Sequence, residues 1–145
     1  MKKASALMFT FVWPIIAWAQ VETDYTVAEA ASMARLLMAE ANNLHDRVSD
    51  ICNDAQATGL LYEAAEAAVR HMSSWSGHHK NSQTLATYHA CRQSMLDVQS
   101  HAYSCANGGY KGKASDYMSR RWLEDSANCA DAIGRSDPPL IDAAR

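Results

Sequence analysis

The stretch TVAEAASMARLLMAEANNLHDRVSDI, residues 26–51, decides which fold this sequence predicts. Its apolar side chains recur every three or four residues, which is the spacing of one face of an α-helix. Thr26 and Glu29 have the spacing of a capping box, so we expect the helix to begin there. The stripe predicts a helix of about 28 residues, and Gly59 either ends it or marks the turn that follows. The apolar stripe consists of Ala30, Met33, Leu37, Ala41, Leu44, Val48 and Ile51.

Three further helices are expected after this one in the sequence, over residues 61–72, 82–105 and 115–133. Serine and glycine are concentrated at 73–79 and 106–112, which predicts loops at those two places. No stretch alternates apolar and polar residues as a half-buried strand does. Because short loops between long helices make neighbours antiparallel, the sequence predicts an all-α, up-down-up-down four-helix bundle.

The N-terminal residues 1–19 have the pattern of a cleaved secretory signal peptide. Lys2 and Lys3 precede an apolar run at 4–16, and Ala-Trp-Ala follows at 17–19. The apolar run is shorter than the roughly 20 residues that span a bilayer. The mature chain is therefore expected to begin at Gln20, in a bacterial periplasm or outside the cell, without stable membrane insertion.

The mature chain divides into a helical domain, residues 20–134, and an extended tail, residues 135–145. Gly134 is a natural C-cap for the last helix, and two prolines follow shortly after it. Chain ends of this composition are often mobile.

All four cysteines lie in the mature part, which predicts two disulfides because exported proteins are oxidised. In the expected bundle, Cys52 and Cys105 lie at one level, whereas Cys91 and Cys129 lie about 21 Å lower. The favoured pairing is therefore Cys52–Cys105 with Cys91–Cys129. A Cys91–Cys105 bond is excluded if the third helix is continuous. Pairing Cys52 with Cys91 and Cys105 with Cys129 fits the levels badly, and the remaining alternative is that some cysteines are free.

The charge of the chain disfavours nucleic acid as a partner. Lysine and arginine number 13 against 16 acidic residues, a net charge of −3. Loss of Lys2 and Lys3 with the signal peptide lowers the net charge to −5. No basic stripe is present, and binding to phosphates requires clustered basic residues.

The glycine-rich loop at 106–112 offers a candidate surface for binding a protein partner. Tyr110 stands between glycines beside Lys111 and Lys113, and Arg120 and Arg121 follow in the last helix. Tyrosine and arginine are prominent in binding hot spots. The alternative is a solvated turn with an ordinary surface tyrosine.

A second candidate site is a histidine cluster that could bind Zn²⁺ or Cu²⁺. His71, His78 and His79 flank the predicted loop at 73–79, and His89 follows in the third helix. Their spacing matches no tight ligand motif, so exposed histidines in a polar loop are the alternative. Haem ligated by a methionine and a histidine is a further option, although no C-x-x-C-H motif for covalent haem is present.

No constellation of catalytic residues stands out. The serines at 73–76 lie near histidines but lack a G-x-S-x-G elbow, and Glu63 and Glu66 are explained equally well as solvated acids. The expectation is a non-enzymatic periplasmic protein without a cofactor that binds another envelope or exported protein, as immunity proteins, inhibitors and accessory parts of secretion or conjugation machines do. The alternative is a periplasmic helical carrier of a metal or haem.

Overall fold

The computed structural model describes residues 24–75 and 82–136, which form five α-helices and no strand. The predicted all-α class is therefore confirmed for these residues. The predicted signal peptide, the loop residues 76–79 and residues 137–145 of the predicted tail lie outside the described ranges. The helices are α1 (Val27–Ile51), α2 (Thr58–Ser74), α3 (Gln83–Ala86), α4 (His89–Ala106) and α5 (Lys113–Ser136).

The predicted capping box begins α1. The Thr26 hydroxyl accepts a hydrogen bond from the Glu29 backbone N–H at 3.2 Å, and the Glu29 carboxylate accepts one from the Thr26 N–H at 2.8 Å. Two backbone donors that the first helical turn leaves unpaired are thereby satisfied. α1 ends at Ile51, the last residue of the predicted stripe, but Gly59 neither ends this helix nor marks the turn after it, because it lies in the first turn of α2.

The predicted third helix is interrupted, which corrects the expectation of a continuous segment from 82 to 105. Ser82 caps the short helix α3 by accepting a hydrogen bond from the Leu85 N–H at 3.1 Å. The break before α4 falls at Tyr88, whose backbone angles of φ −105° and ψ 25° lie outside the helical range. The Tyr88 ring is buried and its hydroxyl bonds Ser136, so tertiary contacts stabilise this turn.

Two other predicted boundaries are also wrong. Ser73 and Ser74, expected in a loop, are helical, and their hydroxyls donate to the carbonyls of Arg70 and His71 at 2.7 Å each. Gly134 does not end the last helix, because α5 continues to Ser136, whose hydroxyl donates to the Ala132 carbonyl at 3.0 Å. Arg135 and Ser136, which were assigned to the tail, therefore belong to α5.

The core lies around α4, which packs against α1, α2 and α5. Alanines of α1 and α2 are fully buried there, and their small side chains allow the helix backbones to approach closely. The core also contains a smaller number of larger buried side chains. Those with almost no exposed surface include Val48, Leu61, Leu85, Tyr88, Met95 and Val98.

Two disulfides connect the helices, and the favoured pairing is confirmed. Cys52, just after α1, is bonded to Cys105 in the last turn of α4, with a Cα–Cα distance of 5.0 Å. Cys91, in the first turn of α4, is bonded to Cys129 of α5, with a Cα–Cα distance of 4.6 Å. No free cysteine remains among the described residues. The two bonds fit an oxidising compartment.

None of the helices within residues 24–75 and 82–136 combines the length and the hydropathy that crossing a membrane requires.

Candidate binding groove between α4 and α5

A groove of about 410 Å³ runs between α4 and α5, and we call it the α4–α5 groove. The stripe of α4 that faces the core contains Cys91, Met95 and Val98, and the groove residues of α4 lie two residues further along, on a different side of the helix. Polar and apolar atoms contribute about equally to the surface of the groove, unlike that of the core. The groove lining consists of Gln93, Asp97, Ser100, Tyr117, Met118 and Arg121.

Two carboxyl groups meet beside this groove. Asp125 of α5 is only 9% exposed, and its carboxylate accepts a hydrogen bond from Arg121 Nη2 at 2.7 Å, one helical turn away. Asp97 of α4 has one carboxyl oxygen, Oδ2, that is buried and has no hydrogen-bond partner within the described part of the chain. Burial and the hydrogen bond with Asp125 raise the pKa of Asp97 to about 7, although Arg121 and Gln93 act in the opposite direction.

The raised pKa follows from simple chemistry. Two ionised carboxylates are both acceptors, so Asp97 and Asp125 can bond each other only while one of them holds a proton. Arg121 neutralises one negative charge, and a second remains whenever Asp97 is ionised. Such a pair can attract a cation or release a proton near neutral pH.

An exposed aromatic ring stands at the rim of the α4–α5 groove. Tyr117 is 56% exposed although it also lines the groove. On a helix, Lys113, Arg120 and Arg121 lie three or four residues from Tyr117 and share its side of α5. Lys113 and Arg120 are exposed, whereas Arg121 is partly buried by its bond to Asp125.

The structure places the predicted partner-binding residues in two environments. Lys111, Lys113 and Arg120 are exposed, as expected for a binding surface. Tyr110, which was expected to be an exposed anchor, is half-buried: its ring lies 4.2 Å from that of His101 and its hydroxyl bonds Ser119 at 2.9 Å. The exposed tyrosine at this end of α5 is Tyr117, which the sequence analysis did not single out.

The histidines proposed as metal ligands are not brought together in the described residues. His71 lies 3.7 Å from Glu40, between the Nε2 and Oε2 atoms, and His89 is exposed in the first turn of α4. His78 and His79 lie outside the described ranges. Elsewhere within those ranges, one potential ligand atom each of Cys52, His101 and Cys105 lies within 4.8 Å of the others, the two cysteines being joined in a disulfide.

A second cavity, of about 240 Å³, lies between α1 and α2 and is mostly apolar. Its lining includes Leu37, Glu40, His71 and Trp75. It contains no buried polar atom without a partner among the described residues, whereas the α4–α5 groove contains one in Asp97. The α4–α5 groove is therefore the stronger candidate for a functional site.

Sequence reasoning missed the acid pair, although one signal was available. Asp125 lies three residues after Trp122 and four before Cys129, two positions that were expected to face inward. An acidic residue on an inward stripe requires a partner or a function. Nothing in the sequence alone indicated that Asp97 lies beside Asp125.

Comparison of the chain with protein-family models, with curated proteins and with solved structures gives no match. The groove geometry is therefore the basis for proposing a function.

Proposed function

We propose that this protein is a non-enzymatic binding protein that takes a lysine or arginine side chain of an exported partner protein into the α4–α5 groove. The observation that carries the proposal is the buried Oδ2 atom of Asp97 in the groove wall, which has no donor among the described residues when Asp97 and Asp125 are both ionised. A buried acceptor without a partner costs about 1–3 kcal/mol. An ammonium or guanidinium group would satisfy it with a charge-assisted hydrogen bond.

The charge balance favours a cation over an anion as the occupant. Asp97 and Asp125 carry two potential negative charges, and Arg121 supplies one positive charge. With a cation of the partner added, the two ionised acids, Arg121 and that cation would together have no net charge. An incoming carboxylate or phosphate would instead face both acids.

The rim of the groove supports a protein as the source of that cation. Tyr117 offers an exposed aromatic surface, and tyrosine is among the residues that contribute most to protein interfaces. Lys113 and Arg120 lie on the same side of α5 and are exposed. They would bind acidic side chains around the inserted cation, so the expected partner surface has a basic residue ringed by acidic ones.

We further propose that the protein is exported to the periplasm and that α1, α2, α4 and α5 form an antiparallel four-helix bundle. The signal-like pattern at 1–19 and the two disulfides support export. The packing of α4 against three other helices supports the bundle. An immunity protein, an inhibitor or an accessory part of a secretion machine would fit these properties, by analogy of class alone.

Site-directed photo-crosslinking in the periplasm of the source organism tests this proposal. A photo-reactive phenylalanine analogue replaces Tyr117 at the groove, and Leu123 in a matched control. Leu123 is 66% exposed on the same helix and does not line the groove. We expect a single protein to be crosslinked from position 117 and not from position 123.

The crosslinked partner then allows a quantitative test. Tyr117→Ala should weaken binding about 30-fold, the effect of losing an interface hot spot, whereas Leu123→Ala should leave affinity unchanged. Asp97→Asn should also weaken binding because it removes the negative charge. Affinity of the unaltered protein should rise between pH 6 and pH 8, because a cation binds the ionised form of Asp97. Equal crosslinking from both positions, or binding unaffected by Asp97→Asn, would refute the proposed site.

A further inference from the structure

A cluster of two sulfur atoms and an imidazole lies at the end of α1 and the last turns of α4. His101 precedes Cys105 by four residues on α4, so both side chains lie on one face of that helix. Cys52 joins them from the residue after α1. One ligand atom from each of Cys52, His101 and Cys105 lies within 4.8 Å of the other two.

The imidazole of this cluster is buried and has an unsatisfied nitrogen. His101 is only 5% exposed, and its Nε2 atom has no hydrogen-bond partner within the described part of the chain. Burial, with a smaller contribution from His45, lowers the pKa of His101 to about 4.

Aromatic side chains hold the surroundings in place. The centroid of the Tyr110 ring lies 4.2 Å from that of the His101 ring, and the centroid of the His45 ring lies 5.4 Å from it. His45 itself stacks on Trp122 at 4.0 Å, and its Nδ1 atom lies 3.7 Å from an Asp46 oxygen. A carboxylate beside Nδ1 favours the tautomer in which Nε2 keeps its lone pair, as in many histidines that bind metals.

We propose that the reduced form of the Cys52–Cys105 pair binds Zn²⁺ through both thiolates and His101, with His45 as the nearest further imidazole. Two cysteines and one or two histidines are a common zinc ligand set. Tetrahedral coordination places two thiolate sulfurs about 3.8 Å apart, which the 4.8 Å cluster accommodates. The two helix ends are thus joined either by a disulfide or by a zinc ion.

The exchange between the two states balances as follows. A dithiol reductant supplies two electrons and two protons and becomes a disulfide itself, while Cys52 and Cys105 become thiols. Zinc binding then releases the two thiol protons. A disulfide oxidant accepts two electrons from the thiolates and two protons from solvent and becomes a dithiol, which restores the Cys52–Cys105 bond and releases Zn²⁺.

The two disulfides differ in their access to a reductant. Cys91 and Cys129 are completely buried, whereas Cys105 retains some exposure and Cys52 is half-buried. Because thiol–disulfide exchange requires access to a sulfur, a mild dithiol should open Cys52–Cys105 first. The Cys91–Cys129 bond would then hold α4 and α5 together while the zinc site forms.

The test is Co²⁺ and Zn²⁺ titration of the mature protein, oxidised and after mild anaerobic reduction. We expect one Co²⁺ per reduced chain, with thiolate-to-cobalt charge-transfer bands and the d–d bands of tetrahedral cobalt. The oxidised protein should show neither. Zinc should displace the cobalt and preserve the helical circular dichroism of the reduced protein.

Matched variants identify the ligands. His101→Ala should weaken Zn²⁺ binding by about 100-fold, whereas His89→Ala, on the same helix but exposed and outside the cluster, should not. Should His101→Ala fail to fold, zinc-edge X-ray absorption of the unaltered reduced protein still counts the ligands: two sulfurs with at least one imidazole are expected. The proposal is overturned by a cobalt spectrum without thiolate bands, by equal metal binding in the oxidised protein, or by unaltered affinity in folded His101→Ala. None of these outcomes depends on the α4–α5 groove.

Discussion

Asp97→Asn should make this protein more stable above neutral pH, because it removes the charge that Asp97 carries there beside Asp125. In the folded state, burial and the hydrogen bond with Asp125 raise the pKa of Asp97 from 3.8 to about 7. Between these two values the folded protein holds a proton that the unfolded chain releases. The free energy of unfolding therefore falls as the pH rises from about 4 to about 7, and this loss is complete above the folded pKa.

The size of the effect follows from the displacement of the pKa. A change from 3.8 to about 7 corresponds to about 4 kcal/mol if it is fully expressed. Because Asp97 is partly exposed in the groove, solvent screening reduces this, and we take about half, roughly 2 kcal/mol. An asparagine has nearly the same shape, carries no charge and can donate a hydrogen bond to Asp125 at every pH.

The assay is urea unfolding at pH 3 and pH 8 with both disulfides intact, followed by circular dichroism. We expect Asp97→Asn to resemble the unaltered protein at pH 3, where Asp97 is protonated in both the folded and the unfolded state, and to exceed it by about 2 kcal/mol at pH 8. Asp131→Asn is the control, since Asp131 is an exposed acid on α5, and substitutions at such positions change stability by about 0.5 kcal/mol or less.

Either of two results would refute this reasoning. One is an Asp97→Asn variant that is less stable at pH 8, and the other is an unchanged dependence on pH between the two conditions. A stabilising substitution that also weakens partner binding would instead indicate that the acid is retained for binding at a cost in stability.

Two further predictions concern the helices. Replacing Cys91 and Cys129 by alanine opens a loop that spans 38 positions in sequence, so the free energy of unfolding should fall by about 4 kcal/mol in denaturant titrations. An unchanged stability would mean that the bond does not constrain the unfolded chain. Thr26→Ala removes the side-chain cap of α1 and should cost about 1 kcal/mol, whereas Thr26→Ser should cost much less. Equal losses in the two variants would show that the hydroxyl is not the stabilising group.

Much of the fold could be predicted because its signals are local. The capping box at Thr26, the apolar stripe of α1 and the glycine-rich loop before α5 each depend on a few neighbouring residues. The disulfide pairing also followed, because helical rise fixes the level of each cysteine. Helix ends were less predictable: Gly134 is a good terminator by composition, but the hydroxyl pair of Tyr88 and Ser136 accompanies the continuation of α5 past it.

The candidate sites could not be predicted in the same way. Tyr110 and Tyr117 are both tyrosines near the start of α5, and only the packing of His101 distinguishes the half-buried one from the exposed one. An aspartate and a histidine four residues apart, such as Asp97 and His101, are common on helices. Their properties become unusual only because the neighbouring helices bury them. Burial by distant segments is what shifts a pKa or leaves a polar atom without a partner.

The sequence by itself indicated the helical class, the start of α1, the favoured pairing of the cysteines and the net negative charge, because periodicity, caps, helical rise and charge are properties of the chain. Only the tertiary structure decided that Asp97 meets Asp125 and that His101 lies beside the Cys52–Cys105 bond. The physical reason is that the environment of a side chain depends on the rotation and the level at which helices pack. A rotation of about 100° about a helix axis moves a residue to its neighbour's position and can exchange a solvated acid for a buried one.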